Sequence, residues 1–334
     1  MRIYRTLEEI HPREFQRPVA TVGVFDGVHR GHQHLIAGLR EWAEELADGE
    51  VVVITFNEHP QSVLGRIPPA ALTSVDHRLL LLGRHGVDAA VVLTFDRELA
   101  SWPPERFVEE VVIGRIGCRS VLMGPDAAFG CGAAGTAEVL REMPGLGIEV
   151  RSREPLLIDG GAVSSTEVRG AILKGELDRA SRLLGRAVSI YGEVIHGDGR
   201  GGAIGFPTAN LNLFHSAAPP HGVYIAHVEL DGVRHDALVN IGRRPTFMRR
   251  DDPLDYSRYF NEQLDKVEIH LRGFRGDLYG RRLEAVLHRK LREERRFEGV
   301  DELVRQIRRD VEALLAWRDE ARGDTERGHS NGDG

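Results

Sequence analysis

The sequence predicts an α/β fold: a parallel sheet wrapped by helices, followed by a small antiparallel β-barrel and a C-terminal helix. Three observations predict it. In the first half, valine-rich apolar runs alternate with helical patterns. In the second half, short strands follow one another with turn signals between them. The chain then carries one long amphipathic pattern. A length of 334 residues suggests about two domains. The change of pattern divides the chain into 1–186, 187–321 and a polar, glycine-rich tail, 322–334, expected to be disordered.

The elements follow in order. "PVATVGVF" (18–25) reads as a buried strand and "VVVITF" (51–56) as a second. Between them Leu35, Leu39, Trp42 and Leu46 recur at helical spacing. "VDHRLLLLGRHG" reads as a helix stopped at Gly86. "DAAVVLTF" (88–95) and "SVLMG" (120–124) supply two more strands. From about 163 to 186 the pattern is helical, closed by Gly185. The second half offers "AVSIYGEVIHG", "GVYIAHVEL", "VRHDALVNIG", "KVEIHLRGF" and "RLEAVLHRKL" as short strands. Asp231-Gly232 between 222–230 and 233–241 is a two-residue hairpin signal. Residues 300–321 form the amphipathic C-terminal helix.

Composition bounds the function. With 41% hydrophobic and 28% charged residues a sizeable core can form. A net charge of −7 argues against a dedicated nucleic-acid binder. Cys118 and Cys131 match no zinc spacing or disulfide framework, so a reducing cytoplasm is the default. The start "MRIYRTLEEI" is not of signal-peptide type, and no run approaches the roughly 18 apolar residues of a membrane span.

The motifs that could carry chemistry sit at strand ends, where open α/β sheets place ligands. "GVFDGVHRGHQH" (23–34) follows the first strand and opens a helix. Free backbone N–H groups there make an anion site, and His29 and His32 can donate to phosphate oxygens. A solvated loop and a metal site are the alternatives on spacing alone. "TFNEHP" offers Asn57 and His59, and "GPDAAFG" offers Asp126 and Phe129. "SSTEVR" (164–169) opens a helix that Ser165 or Thr166 could cap, with Arg169 one turn inside as a clamp on phosphate. In "GFPTAN" (205–210) Pro207 fixes the backbone, while Thr208 and Asn210 present oxygens on one face of an extended segment. Such oxygens suit Mg²⁺ held jointly with phosphates; a plain turn is the alternative. "GDGRGG" (197–202) is a flexible loop able to cover phosphates or merely to link strands. Glu268, alternating among apolar neighbours, is either a solvent-face residue or a base.

These motifs in this order resemble the bifunctional bacterial riboflavin kinase and FMN adenylyltransferase (FAD synthetase) family, over residues 15 to 318. "GVFDGVHRGH", "TFNEHP", "GPDAAFG", "VSSTEVR", "GFPTAN", "NIGRRPTF", "VEIHL" and "GDLYG" carry the resemblance. It implies a Rossmann-like nucleotidyltransferase domain that transfers AMP from ATP to FMN, releasing pyrophosphate. It implies a barrel domain that phosphorylates riboflavin from ATP. His29, His32 and Arg169 would stabilise charge in adenylyl transfer. Gly23, Phe25, Asp26, Gly27, Gly31, Asn57, His59, Asp126, Phe129, Ser164, Ser165 and Thr166 would contact the nucleotide and FMN. In the kinase half Glu268 would be the base, Thr208 and Asn210 the Mg²⁺ ligands, and Gly197, Gly205 and Pro207 the nucleotide loop. Arg292 and Phe297 resemble the flavin-side segment. Partners would be riboflavin, FMN and ATP, with neither nucleic acid nor membrane; a homo-oligomer is compatible with the sequence. The chain departs from the family's common pattern at Glu58, at Ala133 where an arginine is frequent, and at Gly201-Gly202 where Gly-Arg is frequent. Residues 248–266 read as a longer insertion or lid. Ala133 motivates a second reading, a kinase that no longer makes FAD. A third is a flavin-binding regulator without turnover.

Overall fold

The computed structural model describes residues 1–143, 145–197, 200–213, 217–242 and 266–330. The insertion read at 248–266 lies outside them except for Lys266. The chain packs as two compact units: Met1–Gly170 with Leu183–Gly185, and Ala171–Arg182 with Arg186–Gly334.

The first unit is built on a parallel sheet of six strands in the order β1-β4-β3-β2-β5-β6. These are β1 (Arg2–Tyr4), β2 (Val19–Val22), β3 (Val51–Phe56), β4 (Ala89–Leu93), β5 (Ser120–Met123) and β6 (Glu149–Ser152). The central strands read as nearly continuous apolar runs, with only Thr21 in β2 and Thr55 in β3 as buried polar exceptions, because both faces are covered. Along β3, Val51 and Val53 face one core and Val52 and Ile54 the other, as the period of two requires. Helix α1 (Arg30–Glu45) covers the first face with Leu35, Ile36, Leu39 and Trp42. Trp42 is 1% exposed, so truncation to alanine should cost about 3–5 kcal/mol. The helical segments Pro104–Phe107 and Val108–Arg115 cover the other face. Helix α2 (Val75–Arg84) begins at Ser74, whose Oγ accepts from His77 N at 3.2 Å.

From β2 the chain steps outward through β3 to β4, then returns to lay β5 on the other side of β2. The carboxyl end of β2 is therefore a topological switch point, where a crevice forms. The stretch 23–34 emerges there.

The helical pattern at 163–186 is two helices, α3 (Ser165–Leu173) and α4 (Leu177–Leu184). Gly175, at φ +78°, breaks what sequence alone reads as one, and Gly185, at φ +70°, ends the second as expected.

The second unit is a closed six-stranded barrel in the order β10-β13-β12-β11-β14-β9. Its strands are β9 (Ser189–Ile195), β10 (Ala209–Leu213), β11 (Gly222–Leu230), β12 (Val233–Gly242), β13 (Lys266–Leu271) and β14 (Arg282–Arg292). Between the units' main sheets in sequence lies a two-stranded ribbon, β7 (Leu157–Ile158) with β8 (Gly161–Ala162). Asp231 and Gly232 both take positive φ, 52° and 77°, as a two-residue hairpin needs. Tyr224, Ala226, Val228 and Leu230 are all at most 5% exposed and form one face of β11. On its other face Val223 and Ile225 pack with Leu314 of helix α5 (Val300–Ser330). The backbone of α5 stays helical past 321, where composition predicts disorder; no proline stands between 322 and 330 to stop it.

Candidate active sites

The switch point of the first unit opens into a cavity of about 660 Å³. Gly23, Phe25, His29, Gly31 and His32 line one side of it. Asp126 and Phe129 line another, and Ser164 and Ser165 a third. The loop between β2 and α1 is strained: Phe25 and Val28 take φ of 54° and 40° without being glycine. His29 is the N-cap of α1, and its Nδ1 accepts from the His32 backbone N–H at 3.4 Å. That acceptor role leaves the proton of a neutral His29 ring on Nε2. The His29 and His32 rings stack at 3.7 Å, with Phe25 against His32 at 4.9 Å. Gly31 allows this closeness: a Cβ there would stand 2.9 Å from Val163 O and 3.1 Å from the His29 ring. Burial, then His29, then Arg78 hold the His32 pKa well below the usual histidine range. A neutral His32 fits its Nδ1, which is buried with no hydrogen-bond partner among the described residues. The site is thus a helix N-terminus with two imidazoles, suited to phosphate oxygens. Among the described residues no three His, Cys, Asp or Glu side chains are grouped to hold a metal.

Several expected contacts have other partners. Asp26 is 5% exposed and accepts from Leu72 N at 2.9 Å and Thr73 N at 3.0 Å. Arg169, expected as a phosphate clamp, donates instead to Asp26 Oδ2 at 3.0 Å and to Ala70 O at 2.6 Å. One turn inside α3, its side chain reaches back to the loop that follows β2, and a buried ion pair results. Gly27 N donates to Thr73 Oγ1 at 3.0 Å, which ties the same two loops. Asn57 bridges the ends of β3 and β4 by accepting from Phe95 N at 3.1 Å. His59 caps a short helical turn, Pro60–Val63, by accepting from Gln61 N at 3.3 Å. Phe129 is core as well as wall: it is 8% exposed and packs on Phe107 at 5.0 Å. Ser164, not Ser165 or Thr166, caps α3, accepting from Glu167 N at 3.3 Å. Ser165 Oγ donates to Asp26 O at 2.9 Å, and Thr166 is exposed outside the cavity lining.

In the second unit the register brings the kinase-type motifs together. Asn210 of β10 and Asn240 of β12 both lie directly opposite Glu268 of β13. Residues directly opposite in a sheet point to the same face. Glu268, Asn210 and Asn240 therefore share a face, while their neighbours Val267, Ile269, Leu211 and Ile241 are buried. Lys266 Nζ meets Glu268 Oε1 at 2.9 Å. Thr208 precedes β10 and is exposed; its Oγ1 stands beside Gly201. Asn210 lies so tightly on Gly197 that an added Cβ would come within 2.5 Å of Asn210 Cγ. Gly205 takes φ +83°, and Pro207 O accepts from His270 Nδ1 at 2.9 Å. The donor set of hydroxyl, amide and carboxylate oxygens fits a hard cation such as Mg²⁺. Arg292, expected on the flavin side, makes a bidentate pair with buried Asp310 of α5 at 2.8–3.1 Å. Its guanidinium lies 5.8 Å from the Phe297 ring, and that of Arg295 lies 4.7 Å from it.

Comparison with known proteins agrees with this division. Residues 11–167 match the FAD synthetase family model and residues 184–318 the riboflavin kinase model. A bifunctional riboflavin kinase/FMN adenylyltransferase of Pseudomonas fluorescens is 37% identical, over 95% of this chain and 97% of its own length. The chain belongs to the bifunctional riboflavin kinase/FMN adenylyltransferase family. Its FAD synthetase half comes first and its riboflavin kinase half second. The family's enzyme from Bacillus subtilis is 31% identical, covering 94% of this chain and 98% of itself. That of Escherichia coli K12 is 35% identical, covering 93% and 96%. A solved structure titled as a macrolide-efflux protein of Streptococcus pneumoniae superposes with a TM-score of 0.76 at 30% identity. It covers 94% of this chain and 98% of its own.

Within the family frame, Ala133 does line the cavity, with no arginine at that position. Arg66 and Arg153 line the same cavity. Arg153 donates to His34 Nε2 at 3.1 Å and grips Glu41 at 2.7 and 3.1 Å. Sequence reasoning passed over Arg78, Arg153, Asn240 and Asp310. For Arg78 a signal existed: with Val75, Leu79 and Leu82 it falls on the apolar stripe of α2.

Proposed function

We propose that the first unit adenylylates FMN at its cavity and that the second phosphorylates riboflavin at the Glu268 face. The observation that carries this is the stacked His29–His32 pair at the start of α1, inside a cavity roomy enough for a nucleotide. In adenylyl transfer an oxygen of the FMN phosphate attacks the α-phosphorus of ATP and pyrophosphate leaves. The attacking oxygen is already ionised, so no base is required. Positioning and charge stabilisation do the work. His29 and His32 donate to phosphate oxygens, and the N-terminal amides of α1 at Gly31 join them. Asp26 and Arg169 hold the loop behind these groups.

In the kinase step the riboflavin 5′-hydroxyl attacks the γ-phosphorus and ADP leaves. Glu268 accepts the hydroxyl proton. Thr208 and Asn210 would hold Mg²⁺ together with the ATP phosphates, where the ion would supply neutralisation of phosphate charge. The direct pairing of Asn210 with Glu268 supports a shared site. Gly197 and Gly205 shape the loop beside it. ATP as co-substrate and two free cysteines fit a cytoplasmic enzyme.

The test is a product assay on the whole chain with riboflavin, ATP and Mg²⁺, the flavins being resolved by chromatography. FAD as end product is expected. Accumulation at FMN would favour the reading in which Ala133 marks a lost adenylyltransferase. Unchanged riboflavin would sink the kinase activity and favour the reading of a flavin-binding regulator without turnover.

A further inference from the structure

Arg78, in the first turn of α2, is 5% exposed. Its NH1 donates to Thr55 Oγ1 and to Phe56 O, each at 2.9 Å. Thr55 Oγ1 donates onward to Val24 O at 3.2 Å. The guanidinium thereby braces the carboxyl ends of β3 and of the segment after β2. Phe56 and Val24 both line the cavity. Its Nε is buried with no partner among the described residues.

The charges around it do not balance. Asp26 is the buried carboxylate acting on Arg78, and Arg169 already sits on that carboxylate at 3.0 Å. Arg169 pairs directly with this carboxylate, so Arg78 feels it only at longer range, and a buried charge without a close partner is costly unless a ligand answers it. The same charges act, after burial, on the nearby histidines. His32 is held low by burial first, then by His29 and Arg78. His59 is held low by burial first, with Asp26 acting against it and Arg169 and Arg78 with it. Arg66, Asp126, Arg153 and Glu154 line the same cavity, and His34 faces it from α1.

We propose that Arg78 is a positioning residue for adenylyl transfer: it braces the strand ends that form one wall of the cavity and leaves one uncompensated buried positive charge beside the His29–His32 pair for the phosphates to meet. This rests on the adenylyltransferase reading of the cavity. With burial and His29, the charge also favours a neutral His32 imidazole, which donates one hydrogen bond to a phosphate oxygen and adds no second buried cation.

Full-length Arg78→Gln and Arg78→Lys test it, with histidine-ring NMR titrations, the pH profile of FMN adenylylation, and riboflavin phosphorylation as the control reaction. In Arg78→Gln, adenylylation should fall about 10- to 100-fold in kcat through lost positioning. The His32 titration and the acidic limb should move to higher pH, and riboflavin phosphorylation should persist. Arg78→Lys keeps the charge but not the planar fork. It should hold the His32 titration at its native position and still lose kcat. A folded Arg78→Gln with native titration and native pH profile overturns the proposal. If that variant does not fold, Arg78→Lys decides: an upward His32 shift despite the retained charge overturns it. If the unaltered chain fails to adenylylate FMN, the functional reading fails instead. The His32 titration in Arg78→Gln then still decides the electrostatic claim.

Discussion

Asp26→Ala removes a carboxylate that four donors share: the Leu72 and Thr73 amides, Thr73 Oγ1 and the Arg169 guanidinium. Breaking a buried pair costs about 3–5 kcal/mol because the surviving charge is stranded. Each orphaned buried amide adds about 1–3 kcal/mol. These overlap, and Arg169, with 12% of its side chain exposed, has some access to water. The expected net loss is about 4 kcal/mol, a large share of the roughly 5–15 kcal/mol that holds a domain together. Urea unfolding of the whole chain should show the first transition moving to lower denaturant while the barrel's transition stays. FMN adenylylation should be lost and riboflavin phosphorylation retained. The double variant Asp26→Ala/Arg169→Met should recover about 1–3 kcal/mol of coupling. A single-variant loss below about 1 kcal/mol, or strict additivity in the cycle, would refute the view that this pair locks the histidine loop.

Two further predictions concern the second unit. Gly197→Ala places a Cβ where Asn210 now lies and should weaken riboflavin phosphorylation and its Mg²⁺ dependence, with FMN adenylylation unchanged; a native Mg²⁺ titration would count against Asn210 as a ligand. The His288 pKa is lowered from 6.5 to about 4 by burial first, then by His227 and Arg234. Its Nε2 lies 2.7 Å from His227 Nδ1, so one ring must be the acceptor. The folded state therefore binds this proton less readily than the unfolded chain. The His288 contribution to barrel stability should be full above pH 6.5, be lost as pH drops towards 4 and change no further below that, a loss of about 3 kcal/mol at most. Denaturant midpoints across that range, with and without His288→Phe, check this; an unchanged slope in the variant would assign the loss elsewhere.

What was legible in the sequence follows from where the constraints are local. β3 and the β11–β12 hairpin stand out because apolar runs and Asp231-Gly232 are contiguous signals. β1 and β6 did not, because they are the sheet's edges: Glu149 and Ser152 are exposed and only Val150 of that strand is buried. The break between α3 and α4 hid behind Gly175, a single glycine inside an otherwise helical pattern. In the site, His29, His32 and Gly31 were visible since the turn that brings them together lies within a few residues. The pairing of Asp26 with Arg169 spans 143 positions, and that of Arg292 with Asp310 crosses from β14 to α5. Neither residue type announces its partner, so both arginines looked available for ligands. The meeting of Asn210 with Glu268 depends on strand register, which no local pattern specifies here.

The central claim is that two chemistries reside in two separately built sites. The direct measurement is flavin product analysis of Glu268→Ala, supplied in parallel with riboflavin and with FMN. The account predicts that riboflavin phosphorylation falls by about 100-fold or more, the scale of a lost general base, while supplied FMN is still converted to FAD at the native rate. Loss of both conversions in a folded variant, or undiminished phosphorylation of riboflavin, would contradict it.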